Sequence, residues 1–339
     1  MAYSVIKKPS DYFNTKLYTG TGATQSITGV GFQPDFTWIK NRNSTNSHEA
    51  FDSVRGATKT LYPNTTDAEY VNLTNSLTSF DSDGFTVGGG AGANQSGSGI
   101  ASWNWLANGA GVANTDGSIT STVSANTTSG FSIVKFTGTG SALTAGHGLG
   151  VKPSMIIAKS TTIANNWIVQ HGSLGATNTI FLDNTNPSQT GTSFWNDTEP
   201  TSSVFSLGNW GGINTSGSGI IAYCFAEKQG FSKFGSYTGN GSTDGTFVYT
   251  GFKPAFVMVK KTSGTDDWRM FDNKRPGRNV IDDELKANTS GAEGAGDKMD
   301  FLSNGVKFRV SSSVNASGTF IYMAFAEQPL VGDNPATAR

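Results

Sequence analysis

Three short motifs each occur three times in this chain, in the same order. Corresponding residues are 118 to 120 positions apart between the first and second copies, and 101 apart between the second and third. Three independent markers with matching steps predict three tandem repeats. The motifs are Tyr18–Gly22, Phe136–Gly140 and Tyr237–Gly241; the Gly-x-x-Pro segments Gly31–Pro34, Gly150–Pro153 and Gly251–Pro254; and the Asn-x-Ser-Gly turns at Asn94, Asn214 and Asn315.

The repeats extend over 12–107, 131–228 and 231–329, with an N-terminal arm at 1–11 and a C-terminal tail at 330–339. The larger spacing between the first and second copies comes from the segment 108–130. This segment is rich in Gly, Ser and Thr and is predicted to be a linker. Only Lys228, Gln229 and Gly230 join the second and third repeats. We therefore expect these two repeats to pack closely against each other.

Each repeat has the pattern of an all-β unit. An apolar run follows Pro34, Pro153 and Pro254, and a proline is tolerated where a strand begins. Middle strands are predicted at 167–171 and 268–272, and the dipeptides Asp83-Gly84 and Asn304-Gly305 predict tight turns between short strands. Five to seven short strands in about 100 residues predict three tandem antiparallel β-sandwich repeats. One helical turn is the most that 282–300 could hold.

The run after each Asn-x-Ser-Gly turn is the predicted last strand of its repeat. In the second repeat, one face carries Ile221, Tyr223 and Phe225, and the other carries the small residues Ala222 and Cys224. The other repeats have the same alternation, which is typical of a strand inside a core. We therefore expect ligands to bind elsewhere, in the variable segments 41–50, 183–200 and 273–298.

Composition excludes several classes of protein. The net charge is -1 and charged residues make up only 14% of the chain, so we expect no nucleic-acid partner. No window approaches the roughly 20 apolar residues of a membrane span. Cys224 is the single cysteine and lies in an apolar run, which predicts a buried thiol and excludes an intramolecular disulfide.

The three histidines are weak candidates for a functional site or a metal site. His171 corresponds to Asp52 and Asp272 in the other repeats, so this position is either functional or a polar strand end at the rim of a sheet; we favour the rim. His147 lies between glycines and is predicted to be a turn residue; the third histidine is His48. Without a His/Cys cluster at ligand spacing, we assign no metal site.

Acidic residues occur in three groups, Asp81 with Asp83, Asp266 with Asp267, and 282–284. Such groups could cleave glycosides as a carboxyl pair or bind calcium in a loop. No acid pair recurs across the repeats and the groups fall in predicted loops. We therefore assign no catalytic residue, no cofactor-binding residue and no cofactor.

Two other sets of residues are candidates for function. Lys40, Lys159 and Lys260 end the strand after each proline. We favour the interpretation that they protect a strand end from pairing; the alternative is a contact with a neighbouring repeat or subunit. Four tryptophans could stack on sugars, although burial in a core is the commoner role of such residues. They are Trp167, Trp195, Trp210 and Trp268.

The repeated motifs also resemble a known group of proteins. Tyr-Thr-Gly-x-Gly, Gly-Phe-x-Pro-x-Phe, Ala-Phe-Ala-Glu and the opening segment Lys8–Tyr18 are similar to tandem β-repeat virion proteins of tailed bacteriophages, particularly phages of aquatic bacteria. The resemblance covers residues 8–329 and departs at Asn104–Ala107, which replaces the Phe-Ala-Glu ending. It implies a structural protein displayed on the particle, with tail-fibre or receptor-binding roles and no established catalytic residues.

These observations predict a non-enzymatic bacteriophage virion protein, a tail-fibre or adhesin-like subunit that acts through many weak contacts. Its expected partners are other virion proteins, further copies of the chain in a trimer, and host surface glycans. The alternative is a head decoration protein or another stabilising protein of the capsid or tail. A polysaccharide depolymerase is a third possibility, for which the sequence offers no acid pair.

Overall fold

The computed structural model describes residues 4–337. The chain is all-β, with several antiparallel sheets and only two four-residue α-helices in the described part. Single turns of 3-10 helix lie at Pro9–Asp11 and Ser313–Asn315. Residues 1–3 of the predicted arm and 338–339 of the predicted tail lie outside the described residues.

The strands follow the three sequence repeats. The first contains β1 (Phe13–Thr19), β2 (Gln25–Thr28), β3 (Phe36–Asn41), β4 (Glu49–Asp52), β5 (Leu77–Asp81), β6 (Gly84–Val87), α1 (Ala91–Asn94) and β7 (Gly99–Trp105). Next come β8 (Val112–Asn114), β9 (Ser121–Asn126), β10 (Phe131–Thr137), β11 (Leu143–Gly146), β12 (Met155–Ser160), β13 (Ile168–His171), β14 (Asn178–Phe181), β15 (Gln189–Thr190), α2 (Thr192–Trp195), β16 (Val204–Leu207) and β17 (Gly219–Phe225). The third repeat contains β18 (Ser232–Gly239), β19 (Phe247–Tyr249), β20 (Phe252–Lys261), β21 (Trp268–Asp272), β22 (Ile281–Lys286), β23 (Gly294–Leu302), β24 (Gly305–Phe308) and β25 (Gly318–Pro329).

One order of four strands occurs in all three repeats. It is β1-β7-β3-β4 in the first, β10-β17-β12-β13 in the second and β18-β25-β20-β21 in the third. The last strand of each repeat thus lies between the first strand and the strand that follows the proline. Tyr223, for example, pairs with Ile133 on one side and Ile157 on the other. The last strand is therefore backbone-paired along both edges, which explains its apolar character.

The remaining strands form smaller sheets or extensions. The first repeat has a separate sheet β2-β6-β5 and the second has the pair β11-β16. In the third repeat, β22 joins the corresponding strands β23, β24 and β19 to the main sheet. The predicted tight turns are confirmed: Asp81 pairs with Gly84, and Leu302 with Gly305. In both hairpins the glycine is the first residue of the second strand.

The predicted linker 108–130 is part of a sheet. Strand β9 pairs with β10, and β8 pairs with β9, so the segment extends the main sheet of the second repeat. Val123 lies opposite Val134 and is buried. Serine and threonine are compatible with an extended backbone, so composition alone did not show that the predicted linker contains paired strands.

The sequence allowed one helical turn in 282–300, but the structure has none there, because this region forms β22 and β23. Leu285 lies opposite Met270 of the neighbouring strand, and both side chains are buried. Backbone pairing with β21 and burial of Leu285 outweigh the helix preference of the neighbouring Glu and Lys residues.

The large side chains of the three last strands share one core with residues of all three repeats. Trp105, Phe225 and Phe325 come from corresponding positions and lie within 6.3 Å of one another, centroid to centroid. We call this set the common core. It includes Phe13, Phe36, Trp38, Trp103, Phe131, Trp167, Tyr223, Phe256, Trp268 and Met323. The N-terminal arm adds Ile6, which is buried in the same core.

The opposite faces of the main sheets belong to three separate cores. Ala222 and Cys224 pack in a cluster confined to the second repeat, and Ala324 packs in one confined to the third. The first repeat has its own cluster around Phe51 and Phe85. The prediction that these strands are core elements is confirmed for both faces. The face that carries the large side chains, however, is buried between repeats and not within one.

Candidate functional site

The corresponding residues Asp52, His171 and Asp272 lie at contacts between repeats. Each ends its strand, as expected, but all three are buried, with relative exposures of 0%, 1% and 0%. A polar side chain at this depth needs hydrogen-bond partners, and another repeat supplies one of them in each case. The sequence could not place these residues because it gives no relative position of the repeats.

Each of the three residues contacts the last strand of another repeat. The Tyr223 hydroxyl donates to Asp52 Oδ2 at 2.8 Å, and Trp103 Nε1 donates to Asp272 Oδ2 at 3.1 Å. The third contact joins His171 Nε2 to the carbonyl oxygen of Tyr322 at 3.1 Å. The residue corresponding to Tyr223 and Trp103 is Met323, which has no donor group. The histidine therefore bonds to the backbone of the strand.

A buried arginine accompanies each of the two acids, Asp52 and Asp272. Arg55 Nε lies 2.5 Å from Asp52 Oδ2, and Arg55 Nη1 lies 2.9 Å from Glu69 Oε2. The same arrangement occurs in the third repeat, where Arg275 contacts Asp272 at 2.6 Å and Glu293 at 2.9 Å. Burial would lower the pKa of both guanidinium groups, but the neighbouring carboxylates outweigh it and raise the pKa.

Each of these groups consists of an aspartate, an arginine and a glutamate, and the second repeat has a different residue at all three positions. The corresponding positions hold His171, Leu174 and Ser188. A buried arginine is costly without its acids, and buried acids are costly without their arginine. The group is therefore replaced as a unit, by neutral residues at all three positions.

A second set of contacts between repeats joins ring nitrogens to backbone carbonyls. Trp167 Nε1 donates to the carbonyl of Tyr62 at 3.1 Å, and Trp268 Nε1 donates to the carbonyl of Phe181 at 2.7 Å. His48 occupies the corresponding position of the first repeat, where Nε2 lies 3.1 Å from the carbonyl of Lys286. Together these contacts join the second repeat to the first, the third to the second and the first to the third.

Replacing Trp268 by Phe is expected to destabilise the protein by about 1–3 kcal/mol, because it leaves the buried Phe181 carbonyl without its donor. Urea unfolding would measure the loss. The matched control is Trp195→Phe, since Trp195 is equally buried but its Nε1 has no hydrogen-bond partner. The interpretation would be contradicted by equal losses in the two variants.

The three recurring lysines are fully buried. Lys159 Nζ donates to the carbonyl of Thr66 at 3.0 Å, and Lys260 Nζ donates to that of Thr185 at 2.9 Å. Both acceptors belong to a neighbouring repeat, so these two residues make the contact that was the alternative to protection of a strand end. Lys40 donates to Asn41 and Ser44 of its own repeat. Burial lowers the pKa of each lysine to about 8.

His171 should make stability depend on pH. Burial lowers its pKa to about 4, whereas the unfolded chain has the ordinary value near 6.5. The unfolded state therefore binds the proton first, and stability present above pH 6.5 falls as the pH decreases towards 4. The loss amounts to roughly 3 kcal/mol.

The measurement is the free energy of unfolding of wild type and His171→Asn between pH 7.5 and 4. Wild type is expected to lose more stability over this range than the variant. Glu49, whose pKa burial raises to about 7, changes stability in the opposite direction but is present in both proteins. Parallel pH profiles for the two proteins would show that His171 is not the titrating group.

Other predicted candidates have structural roles. Trp167, Trp195 and Trp268 are buried and Trp210 is partly buried, so the core interpretation is confirmed over sugar stacking. Asp83 accepts from the backbone nitrogens of Gly29 and Gly31, which lower its pKa.

Two more predictions concern His147 and Cys224. His147 lies in the loop after β11, with its Nδ1 accepting from the nitrogen of Leu149. Cys224 is buried, as predicted, and burial raises the pKa of its thiol. Between residues 4 and 337, no three His, Cys, Asp or Glu side chains are grouped as a metal ion would need.

A cavity lies in the third repeat, within the predicted variable segment 273–298 and its surroundings. Its volume is about 530 Å³, and its lining includes Arg269, Glu284, Lys286, Thr289, Asp297 and Ser312. The backbone of 291–296, rich in Gly and Ala, forms part of its wall. This size is within the range of small-molecule sites.

Arg269 is at the centre of the charges around this cavity. It lies 2.5 Å from Asp266 Oδ1, 2.7 Å from Asp297 Oδ2 and 3.3 Å from Glu284 Oε1. Burial, and then the charge of Asp297, raise the pKa of Glu284 to about 7. The sequence placed Glu284 with Asp282 and Asp283. The hairpin of β22 and β23 instead brings it to Asp297, a pair that sequence proximity could not show.

The other repeats have different residues at the position of Arg269. They are Glu49 in the first and Ile168 in the second. Ile168 pairs with Phe181, whose ring lies 5.9 Å from those of both Phe194 and Trp210. The second repeat is thus aromatic in the region where the third has charged groups around a cavity.

These features define an all-β protein in which three sequence repeats surround one aromatic core and are joined by buried polar contacts. The chain belongs to the family described as "Domain of unknown function (DUF7483)", whose model matches residues 8–329. No curated protein matches the chain. Among residues 4–337, no helix has the length and apolar character required to cross a membrane.

Proposed function

We propose that the chain consists of three β-sandwich units arranged in a closed ring with approximate threefold symmetry. The support is the set of corresponding contacts from each repeat to the next. The backbone nitrogens of Glu69, Ser188 and Glu293 donate to the carbonyls of Thr161, Thr262 and Arg42, and these three acceptors occupy corresponding positions. The last of these contacts joins the third repeat to the first and closes the ring.

We further propose that this protein is a non-enzymatic structural component of a bacteriophage particle, a tail-fibre or receptor-binding subunit. The observation that carries the proposal is that recurring polar residues serve the contacts between repeats. Buried hydrogen bonds of this kind give a rigid, specific structure. This use of polar residues fits a structural role. The resemblance of the repeated motifs to bacteriophage virion proteins is the reason for placing that role in a phage particle.

Other virion proteins, further copies of the chain and host glycans are the partners in this proposal. Three copies would present each surface three times, and several weak sites acting together increase the overall affinity. Sedimentation of the purified protein tests the trimer directly. A single species with the mass of one 35.6 kDa chain would contradict it.

A head decoration protein is the second candidate, and one observation favours it. The three units share the common core, so they form a block around an axis and not a row along a fibre. An approximately threefold block suits a point where three capsid subunits meet. Such a protein would stabilise its neighbours without binding a receptor.

Quantitative mass spectrometry of purified particles, combined with antibody labelling, separates these candidates. We expect a few dozen copies or fewer, located on the tail. Hundreds of copies on the head would establish decoration, and absence from particles would contradict both candidates. Release of sugar from host polysaccharide by the purified protein would contradict the non-enzymatic assignment.

A further inference from the structure

Two neighbouring cavities lie where the third repeat meets the first. The larger has a volume of about 200 Å³ and is lined by residues of the third repeat that include Lys253, Lys274, Arg278 and Glu327. The smaller has a volume of about 50 Å³ and is lined by residues from both repeats. Asn273, Lys274 and Glu327 line both. We call the larger the outer cavity and the smaller the inner cavity.

The lining of the outer cavity has an excess of positive charge. Three cationic side chains and one carboxylate line it, which gives a net charge of +2. The carboxylate, Glu327, has an oxygen 2.7 Å from Lys253 Nζ. Lys274 and Arg278 are exposed, and within residues 4–337 neither forms an ion pair with a carboxylate. An anionic group would be attracted to these two side chains.

The fold does not require cations at these two positions. Lys274 and Arg278 lie in the connection between β21 and β22. The corresponding positions of the first two repeats hold uncharged residues, which are Val54 and Ser173 for Lys274, and Thr58 and Thr177 for Arg278. Two of the three repeats therefore form this connection without either charge.

The inner cavity contains buried polar atoms without partners. Thr15 is 5% exposed and its Oγ1 makes no hydrogen bond, and Asn273 Oδ1 is also buried and unpaired. Both residues line the inner cavity, and buried polar groups are normally hydrogen-bonded. A hydroxyl can donate and accept, whereas an amide oxygen only accepts. The missing partner of Asn273 is therefore a donor, which a simple inorganic anion does not offer and a sugar hydroxyl does.

We propose that the two cavities together bind one acidic saccharide residue. Its anionic group contacts Lys274 and Arg278, and its hydroxyl groups contact Thr15 and Asn273. Carboxylate and phosphate are the anions that a guanidinium matches best. The outer cavity is smaller than the roughly 300–1,000 Å³ of drug-sized sites, so it suits a single sugar residue. This inference rests on the proposed role in host attachment and gives that role a ligand class.

Calorimetric titration of the full chain at neutral pH with glucuronic acid, glucose 6-phosphate, glucose and inorganic phosphate tests the proposal. At least one acidic sugar is expected to bind, and glucose should bind at least about tenfold more weakly. The tighter of the two acidic sugars identifies the preferred anionic group. Glucose binding as tight as that of the acidic sugars, or no binding of either acidic sugar, would overturn the proposal. Inorganic phosphate binding as tight as that of the better acidic sugar would overturn the saccharide assignment.

Two charge variants locate the anionic contact. Lys274→Gln and Arg278→Gln are each expected to weaken binding of the acidic sugar at least about tenfold. Both side chains are exposed, so thermal stability should change little. The matched control is Lys59→Gln, since Lys59 lies in the corresponding connection of the first repeat and lines neither cavity. Unchanged binding in both cavity variants, or equal weakening in the control, would overturn the proposal.

A third variant tests whether the ligand reaches the inner cavity. Thr15→Val removes the unpaired hydroxyl and is expected to weaken binding at least about threefold. Because that hydroxyl has no partner in the protein, thermal stability should not fall. Unchanged binding would overturn the assignment of both cavities to one ligand. Absence of the protein from particles would instead contradict the proposed function and leave the titration unaffected.

Discussion

Replacing Arg55 by Leu is expected to destabilise the protein by about 3–5 kcal/mol, the usual loss when one partner of a buried ion pair is removed. Asp52 and Glu69 would be left without the guanidinium that contacts both. The carbonyl of Ala50 would also lose a donor, since Arg55 Nη2 lies 2.9 Å from it. Urea unfolding monitored by circular dichroism would measure the change.

The second repeat supplies a rescue for this variant. Adding Asp52→His and Glu69→Ser to Arg55→Leu copies the set His171, Leu174 and Ser188 into the first repeat. The triple variant is expected to recover more than half of the lost stability, because no unpaired charge remains buried. The imidazole introduced by Asp52→His would still be able to accept from the Tyr223 hydroxyl, which now donates to the carboxylate. Additive losses from the three substitutions would contradict the view that the group is replaced as a unit.

A surface ion pair gives the matched control. Lys152 Nζ lies 2.7 Å from Glu199 Oε2, and both side chains are about half exposed. Lys152→Leu removes a positive charge as Arg55→Leu does, but water replaces the lost partner. We expect a change within about 1 kcal/mol. A loss as large as that of Arg55→Leu would show that burial is not the cause.

Replacing Trp105 by Ala is expected to destabilise the whole chain by about 3–5 kcal/mol. Its ring lies 4.9 Å from that of Phe13 in the first repeat, 6.3 Å from Phe225 in the second and 5.6 Å from Phe325 in the third. The resulting cavity would be shared by all three repeats. Hydrogen exchange measured by mass spectrometry should therefore show faster opening of β7, β17 and β25 together.

The control for this experiment is Trp195→Ala. Trp195 is also fully buried but packs only in the core of the second repeat. A comparable cavity there should increase exchange mainly in strands of that repeat. If Trp105→Ala affected the first repeat alone, the common core would not couple the three repeats.

Much of the local structure could be predicted from the sequence. The apolar runs after Pro153 and Pro254 form β12 and β20, and Asp83-Gly84 lies at the turn of a hairpin. Alternation of large and small residues correctly separated the two faces of the last strand. These features depend on neighbours in sequence, and the strand period of two makes them readable.

The candidate site was less accessible to sequence reasoning. Glu284 and Asp297 are 13 positions apart and meet because β22 and β23 pair with a register shift. The same limit applied to 108–130, where composition indicated a linker and pairing with β10 made strands. In each case the missing information was which strand lies next to which.

The sequence by itself determined that this protein has three repeats, that each is made of strands, and which residues of the last strand are apolar. Only the tertiary structure decided that the large faces meet in one core, and that Asp52, His171, Asp272 and two of the recurring lysines join one repeat to another. The physical reason is that a repeated pattern specifies which surface must be buried, whereas the surface that covers it depends on how the repeats pack. In the proposed closed ring, each repeat buries its apolar face against the other two.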